Sequence, residues 1–194
     1  MRLHNPVFDE VDAMKLEAFF KPKFIAVVGA SREQEKVGHR IFRNLVEGGF
    51  KGQLYPVNPK ADEVLGIKCY SSVSDVPRGI DLAVIAVPAK IVPAVAEECG
   101  RKGVKGLIVV SAGFSETGRE GTQLEKELLA VCQKYGMRMQ GPNCLGFIST
   151  QNCMNATFAA AQSAVGNIAF ISQSGALGSA ILNWALQNLS LIHI

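Results

Sequence analysis

The sequence predicts an α/β fold in which a doubly wound parallel sheet is followed by the beginning of a second domain. Short apolar runs alternate along the chain with longer runs of helical periodicity, which is the pattern of βαβ units. Glycine is frequent, with 19 residues, and aromatic residues make up only 7%, which suits many tight turns between strands and helices. The length of 194 residues accommodates one full domain and about a third of another.

Three strands and one helix are predicted in the amino-terminal half. Phe24 to Val28 form a compact apolar strand, and residues 37–46 place apolar side chains at helical spacing. Gln53 to Val57 form a second strand, whose Pro56 indicates an edge position or a strand end. Leu82 to Val87 are all apolar, as expected for a strand of a parallel sheet that is covered on both faces.

The next part of the chain continues the alternation. Ala89 to Arg101 form a predicted helix that tolerates Pro93 in its first turn. Leu107 to Val110 form the fourth strand, Gly121 to Tyr135 a helix, and Arg138 to Gln140 the start of a fifth strand. The crossovers of such βαβ units are right-handed, so the turns that face a ligand lie at the carboxyl ends of the strands.

The composition changes near residue 150, where small polar residues predict a linker or a hairpin. A new strand over 168–171 and a helix from Ala176 then predict the first βα unit of a second domain. The last six residues resemble the translation of a sequencing-adapter read-through. The predicted division is a first domain over 8–150, a linker over 151–165, the start of a second domain over 166–188 and a non-native tail over 189–194.

Composition and charge exclude several classes of protein. The net charge of +3 is too small to argue for a nucleic-acid partner, and no apolar run reaches the length of about 18 residues that a membrane helix needs. The first 20 residues carry four acidic side chains, unlike a signal or transit peptide. The five cysteines include no CxxC pair, which disfavours zinc ribbons and disulfide scaffolds and makes a reducing cytoplasm the expected location.

Two turns in the first half are candidate phosphate sites. Gly29, Ala30 and Ser31 end the first strand, and Gly38 lies at the start of the following helix, whose free N–H groups suit a phosphate. The GxGxxG spacing of a dinucleotide site is absent, and a plain glycine turn without ligand is the alternative. The segment Asn58-Pro59-Lys60 ends the second strand with a lysine where an NAD site has an acidic residue.

A lysine at that position suits a phosphate on a ribose, as in NADP or at the 3′ position of coenzyme A. The alternative is a solvated charged turn, since two acidic residues follow closely. Small-residue turns after the third and fourth strands suit an adenine or a pantetheine arm, or are ordinary tight turns. They comprise Val87, Pro88 and Ala89, then Ala112, Gly113 and Phe114. Glu116 is expected to stabilise a nearby helix N-terminus.

Two further segments have polar groups that suit chemistry. Asn143 and Cys144 lie in a glycine- and proline-bracketed loop, where a buried, inert cysteine is favoured over a nucleophile because no histidine has the context of a base. A second candidate anion site precedes the helix at 176, where the alternative is an N-cap by a serine. It comprises Ser172, Gln173, Ser174 and Gly175.

Taken in order, the strings IAVVGAS, YPVNPK, DLAVIAVPA, GFSE, GPNCLG and FISQSGALG resemble the nucleoside-diphosphate-forming acyl-CoA synthetase family. The family includes ADP-forming acetyl-CoA synthetase and the α subunit of succinyl-CoA synthetase. The resemblance extends from about Leu16 to Trp184 and is closer to the acetyl-CoA branch. It implies a Rossmann-like CoA-binding domain followed by a flavodoxin-like ligase domain that begins near Gly166.

The resemblance also implies an activity and a role for each segment. Acyl-CoA, ADP and phosphate interconvert with acid, CoA and ATP through an acyl phosphate and a phosphohistidine. CoA phosphates would lie at Gly29–Ser31 and Gly38, its nucleotide end at Asn58–Lys60, and its thiol end near Asn143 and Cys144. The groove would be lined by 87–89 and 112–114, and Ser172–Gly175 would hold phosphate or phosphohistidine.

None of the three histidines, His4, His39 and His193, matches the phosphohistidine motif, and no ATP-grasp part is present. The expectation is therefore a chain that binds CoA but does not turn over, with ADP or ATP and Mg bound through other parts of the whole ligase. Two alternatives stay open. One is a CoA-binding regulatory domain of a protein acetyltransferase, and the other is part of an NADP-dependent oxidoreductase.

Overall fold

A computed structural model describes residues 16–160, 165–166 and 169–188 of the chain. Five parallel strands form the central sheet, and two short antiparallel hairpins accompany it. The strands of the sheet are β1 (Phe24–Val28), β2 (Gln53–Val57), β5 (Leu82–Ile85), β6 (Gly106–Val109) and β7 (Arg138–Gln140). The hairpins pair β3 (Glu63–Val64) with β4 (Ile67–Lys68), and β8 (Gly146–Ser149) with β9 (Met154–Thr157).

Within the described residues, four helices have ten or more residues, and the first three follow strands β1, β5 and β6 of the sheet. They are α1 (Val37–Glu47), α2 (Val92–Arg101), α3 (Arg119–Tyr135) and α4 (Gly175–Asn188). Pro93 lies in the first turn of α2, after a short 3-10 turn over Ala89–Ile91, and Gly136 ends α3 in the left-handed conformation. Among the described residues, no helix is long and apolar enough to span a bilayer.

The sheet has the order β2-β1-β5-β6-β7, which makes it a Rossmann-like doubly wound sheet. Its central strand β5 is fully buried, as a strand covered on both faces must be. Alternate residues of β1 point to opposite faces. Ala26 and Val28 pack toward α2 and α3, whereas Ile25 and Val27 pack toward α1.

The direction of chain progression reverses at β1. The chain passes from β1 to β2 on one side of β1. The next strand of the sheet, β5, pairs with β1 on its other side. In a doubly wound sheet this reversal opens a crevice at the carboxyl ends of the strands. The fold thus places the turns after β1, β2 and β5 around one crevice.

The β8–β9 hairpin belongs to the first domain. Met154 and Ala156 are buried against α1, and the side-chain amide of Asn44 in α1 donates hydrogen bonds of 2.8 Å to the carbonyl oxygens of Thr157 and Ala159. On the other strand, the ring of Phe147 packs edge-on against Phe19 and Phe20 of the short helical segment 16–20.

The structure confirms the sheet strands to within two residues and the edge position of the strand that contains Pro56. Of the two alternatives for residues 151–165, a hairpin is present, and it begins earlier, at Gly146. The predicted strand over 168–171 is wrong for its described residues 169–171, which are irregular. A strand needs a neighbour for its backbone hydrogen bonds, and no described strand pairs with this segment. The expected tail lies outside the described residues.

Candidate functional site

All candidate site residues that follow the sheet strands lie at one edge of the sheet. The five strands are parallel, and each of the segments named from the sequence begins within three residues of a strand's carboxyl end. The edge therefore presents, from β2 to β7, the segments 58–60, 29–31, 87–89, 112–114 and 143–144.

Gly29 and Gly38 make the closest contact of the crevice. Gly29 has φ +93°, and a Cβ atom there would overlap the carbonyl oxygen of Ala86. A Cβ atom on Gly38 would overlap the carbonyl oxygen of Gly29. Gly29 thus allows the turn after β1 to lie against the end of β5, and Gly38 allows the start of α1 to lie directly on the end of β1. The role of Gly38 in the structure is this helix–strand contact, and the contact brings the helix N-terminus to the crevice.

The N-terminus of α1 is open to an anion. Its N-cap residue Lys36 makes no capping side-chain bond, and the first turn contains no acidic residue. In the loop before α1, the hydroxyl of Ser31 accepts a hydrogen bond of 3.1 Å from the backbone N–H of Glu33. His39 is buried, and its Nδ1 lies 2.7 Å from the carbonyl oxygen of Ser31, so it holds the loop. Unpaired N–H groups at a helix start attract phosphate.

Asn58 joins the turn after β2 to the turn after β1. Its amide donates a 2.7 Å hydrogen bond to the carbonyl oxygen of Ala30, and its Oδ1 accepts one of 2.9 Å from the backbone N–H of Lys60. Asn58 is half-buried, whereas Pro59 and Lys60 are exposed. The position of Asn58 therefore indicates that it holds the turns after β1 and β2 together, and Lys60 lies exposed beside it.

Arg32 is a rim residue that the motif analysis missed. Arg32 lies in the loop after β1. Its guanidinium Nη2 donates a 3.3 Å hydrogen bond to the carbonyl oxygen of Lys60, which lies in the neighbouring turn after β2. The sequence offers one signal for it, which is the position directly after Ser31. Its acidic neighbours Glu33 and Glu35 conceal that signal, because the segment then has the composition of an ordinary solvated turn.

The turns after β5 and β6 contact each other. The hydroxyl of Ser111 donates a 2.5 Å hydrogen bond to the carbonyl oxygen of Val87, and a Cβ atom on Gly113 would lie 3.0 Å from the Cβ of Ala89. The carboxylate of Glu116 accepts hydrogen bonds from the N–H groups of Gly113 and Phe114. The bond from Gly113 is the main reason that the pKa of Glu116 is lowered. These N–H groups are occupied, so this turn offers a ligand small apolar surface rather than an anion site.

The loop after β7 is packed onto β6. The backbone N–H of Asn143 donates a 3.0 Å hydrogen bond to the carbonyl oxygen of Ser111, and the thiol of Cys144 lies 3.3 Å from the carbonyl oxygen of Val109. Burial raises the pKa of Cys144 to about 11. Because the thiolate is the nucleophile, a thiol that stays protonated at neutral pH fits the inert interpretation of Cys144.

The segment before α4 lies next to this loop. Ser174 accepts a 3.2 Å hydrogen bond from the backbone N–H of Leu177 on its hydroxyl, which is the N-cap contact that the sequence offers as the alternative to an anion site. The hydroxyl of Ser172 accepts a 3.0 Å hydrogen bond from the N–H of Ser174. A Cβ atom on Gly175 would lie 3.4 Å from the Cβ of Leu145. The start of α4 therefore contacts the residue that directly follows Asn143 and Cys144 in the chain. Gln173 is exposed.

The edge thus combines three kinds of surface in spatial order. Two exposed cations, Arg32 and Lys60, lie at the rim beside β2. The open N-terminus of α1 follows at the point where the strand order reverses, and small side chains line the turns after β5 and β6. In the part of the chain that the structure covers, no group of His, Cys, Asp and Glu is arranged to hold a metal ion. Such an edge suits a long ligand with phosphates at one end and a slender neutral arm.

The comparison with protein families gives one match. The family described as "CoA binding domain" matches residues 23–150, which is the sheet and its turns up to the first residue after β8.

Sequence relatives share about half of their aligned residues with this chain. The ADP-forming acetate–CoA ligase I of Archaeoglobus fulgidus is 52% identical over 173 residues, covering 89% of this chain and 25% of the ligase. The α subunit of the ADP-forming acetate–CoA ligase II of Pyrococcus furiosus is 51% identical over 167 residues, covering 86% of this chain and 36% of the subunit.

A solved structure agrees with these matches. The acetyl-coenzyme A synthetase 1 of Ca. Korarchaeum cryptofilum, in complex with phosphate and ADP, has a TM-score of 0.85 and 49% sequence identity. The match covers 89% of this chain and 37% of that one. The chain therefore spans between a quarter and two fifths of the length of these three proteins.

Proposed function

The chain belongs to the CoA-binding domain family, and from that premise we propose that it is the CoA-binding part of an ADP-forming acid–CoA ligase. The whole ligase would convert acyl-CoA, ADP and phosphate into acid, CoA and ATP. The observation that carries the proposal is the open N-terminus of α1, which lies at the strand-order reversal within a rim that holds Arg32 and Lys60.

The proposed pose runs along the carboxyl edge from β2 to β7. The diphosphate of CoA lies at the start of α1, where N–H groups and the helix dipole favour negative charge. The phosphorylated ribose extends toward Lys60, and the pantetheine arm follows residues 87–89, Ala112 and Gly113. The side chain of Phe114, expected from the sequence to line this groove, is fully buried in the core. The thiol end then reaches Asn143 and Cys144, beside the start of α4.

In this pose the protein supplies positioning rather than chemistry on the thioester. The protonated Cys144 thiol does not compete with the CoA thiol as a nucleophile. The segment Ser172–Gly175 lies next to the thiol end, and we propose that it holds the phosphoryl group there when the rest of the ligase delivers it. The acid substrate, the phosphohistidine and the ATP-grasp part that binds ADP or ATP with Mg would belong to that remaining part of the ligase.

Calorimetric titration of the full chain with CoA, dephospho-CoA, NADP and NAD tests the proposal. We expect saturable binding of CoA and weaker binding of dephospho-CoA, because Lys60 is available to the 3′-phosphate. Lys60→Gln should reduce that difference, whereas Lys51→Gln removes the same charge before the amino end of β2 and should leave it unchanged. Binding of NADP without any response to CoA would overturn the proposal and favour an oxidoreductase.

A further inference from the structure

We propose that Arg32 is a specificity-determining residue that, together with Lys60 of the neighbouring turn, binds the 3′-phosphate of CoA. The inference rests on the proposed function, since it names the group that this rim recognises. It starts from one contact. The guanidinium of Arg32 lies over the turn after β2, 3.3 Å from the carbonyl oxygen of Lys60.

The two residues belong to loops that are held in register below the rim. Asn58 donates to the carbonyl oxygen of Ala30 at 2.7 Å and accepts from the N–H of Lys60 at 2.9 Å. His39 holds the carbonyl oxygen of Ser31, the residue before Arg32, at 2.7 Å. The backbones that carry both cations are therefore positioned before any ligand arrives, which lowers the entropic cost of binding.

The charges around the rim leave these two cations without a carboxylate. Glu33 and Glu35, which follow Arg32 in the loop, pair with Lys36 at 3.9 Å and Arg40 at 3.1 Å. Within the described residues, no carboxylate lies at ion-pair distance from Arg32 or Lys60. A dianion bound at this rim supplies the opposite charge that these two exposed side chains lack among the described residues.

The chemistry of the two side chains suits a terminal phosphate. A guanidinium carries five N–H donors in a planar fork, and the contact to Lys60 uses one of them. The remaining donors can bind two phosphate oxygens, while the lysine supplies a point charge. A phosphate that bridges the loops of β1 and β2 occupies the place where a dinucleotide site has an acidic residue for the ribose hydroxyls.

The test compares the ratio of the dissociation constants for dephospho-CoA and CoA in the full chain, measured by calorimetry at low and high salt. Loss of a charge-assisted contact in Arg32→Gln should shrink this ratio by about tenfold, while binding of dephospho-CoA changes by less than about twofold. The wild-type ratio should fall as salt rises, with a weaker salt dependence in Arg32→Gln. Arg32→Lys should retain part of the ratio, and the matched variant Lys51→Gln should retain all of it.

The outcomes separate this inference from the proposed function. If the wild type binds CoA and Arg32→Gln leaves the ratio unchanged, the inference is wrong and the proposed function stands. The same holds if CoA and dephospho-CoA weaken equally in Arg32→Gln, since that result shows a purely structural role for the contact. If the wild type binds none of the CoA forms, the proposed function is wrong and the inference falls with it.

Discussion

Gly38 shows how one residue determines the geometry of the crevice. A helix start can approach a strand end to backbone contact only where no side chain intervenes, and Gly38 lies against the carbonyl oxygen of Gly29. The eight residues between the two glycines differ from the GxGxxG spacing, but the second glycine serves the same physical purpose of close helix–strand packing. The proposed diphosphate site depends on this contact.

We therefore expect Gly38→Ala to lower both the stability of the chain and its affinity for CoA. The added methyl group must displace α1 from β1, which should cost at least about 2 kcal/mol of unfolding free energy. Thermal unfolding and CoA titration measure the two effects. Gly79→Ala is the matched control, because a Cβ atom there has nothing within 4 Å. A Gly38→Ala variant that melts and binds like the wild type would show that the contact is dispensable.

At the scale of elements, α2 and α3 are joined by a group of polar contacts centred on Glu97. Its carboxylate accepts hydrogen bonds from Lys134 at 2.8 Å, from the Tyr135 hydroxyl at 2.7 Å and from Arg101 at 3.2 Å. Gly100 lets the ring of Tyr135 pack against α2. The bond from Lys134 is the main cause that lowers the pKa of Glu97 to about 2.

This shift predicts how stability depends on pH. A carboxyl group whose pKa falls from 4.5 to about 2 on folding stabilises the fold above pH 4.5. That contribution is lost as the pH falls through 4.5 toward about 2. The melting temperature of the wild type should therefore exceed that of Glu97→Gln at pH 7, and the difference should shrink over this range. Glu127→Gln removes an exposed carboxylate from α3 as the control. If the difference in melting temperature between the wild type and Glu97→Gln stayed the same from pH 7 to pH 2, the lowered pKa of Glu97 would be contradicted.

At the scale of the whole molecule, the first domain is closed by segments distant in sequence. The hairpin β8–β9 covers α1 through Met154 and Ala156, and Asn152 donates a hydrogen bond to the carbonyl oxygen of Phe20. The family match ends at residue 150, before β9 begins. We therefore expect the folded unit to continue to about Ala159, whose carbonyl oxygen accepts a hydrogen bond from Asn44.

Truncation tests this boundary. A chain that ends at residue 160 should unfold cooperatively near the temperature of the full chain. A chain that ends at 150 should melt at least about 10 °C lower. In a domain of this size, a loss of about 1 kcal/mol of unfolding free energy lowers the melting temperature by about 2–4 °C. It loses the burial of Met154 and leaves the amide of Asn44 without its two acceptors. Equal melting temperatures of the two truncated chains would show that β9 adds nothing to the fold.

The sequence by itself determined the five strands of the sheet, the helices that follow three of them, their parallel arrangement and the edge at which the candidate residues gather. Apolar runs such as Leu82–Ile85 and the helical spacing in 37–46 are local signals, and the connection rules convert them into a sheet. The same rules predicted that turns 29–31 and 58–60 lie at the carboxyl ends of their strands, and in the structure a hydrogen bond from Asn58 to Ala30 joins them there.

Only the tertiary structure decided which groups at that edge are free. The thiol of Cys144 faces the carbonyl oxygen of Val109, which is 35 residues away in the chain, and burial raises its pKa to about 11. Arg32 reaches Lys60 across 28 residues of sequence. Hydrogen-bond partners, burial and pKa depend on distances between residues that are far apart in the chain, and a pattern of residue types contains no such distances.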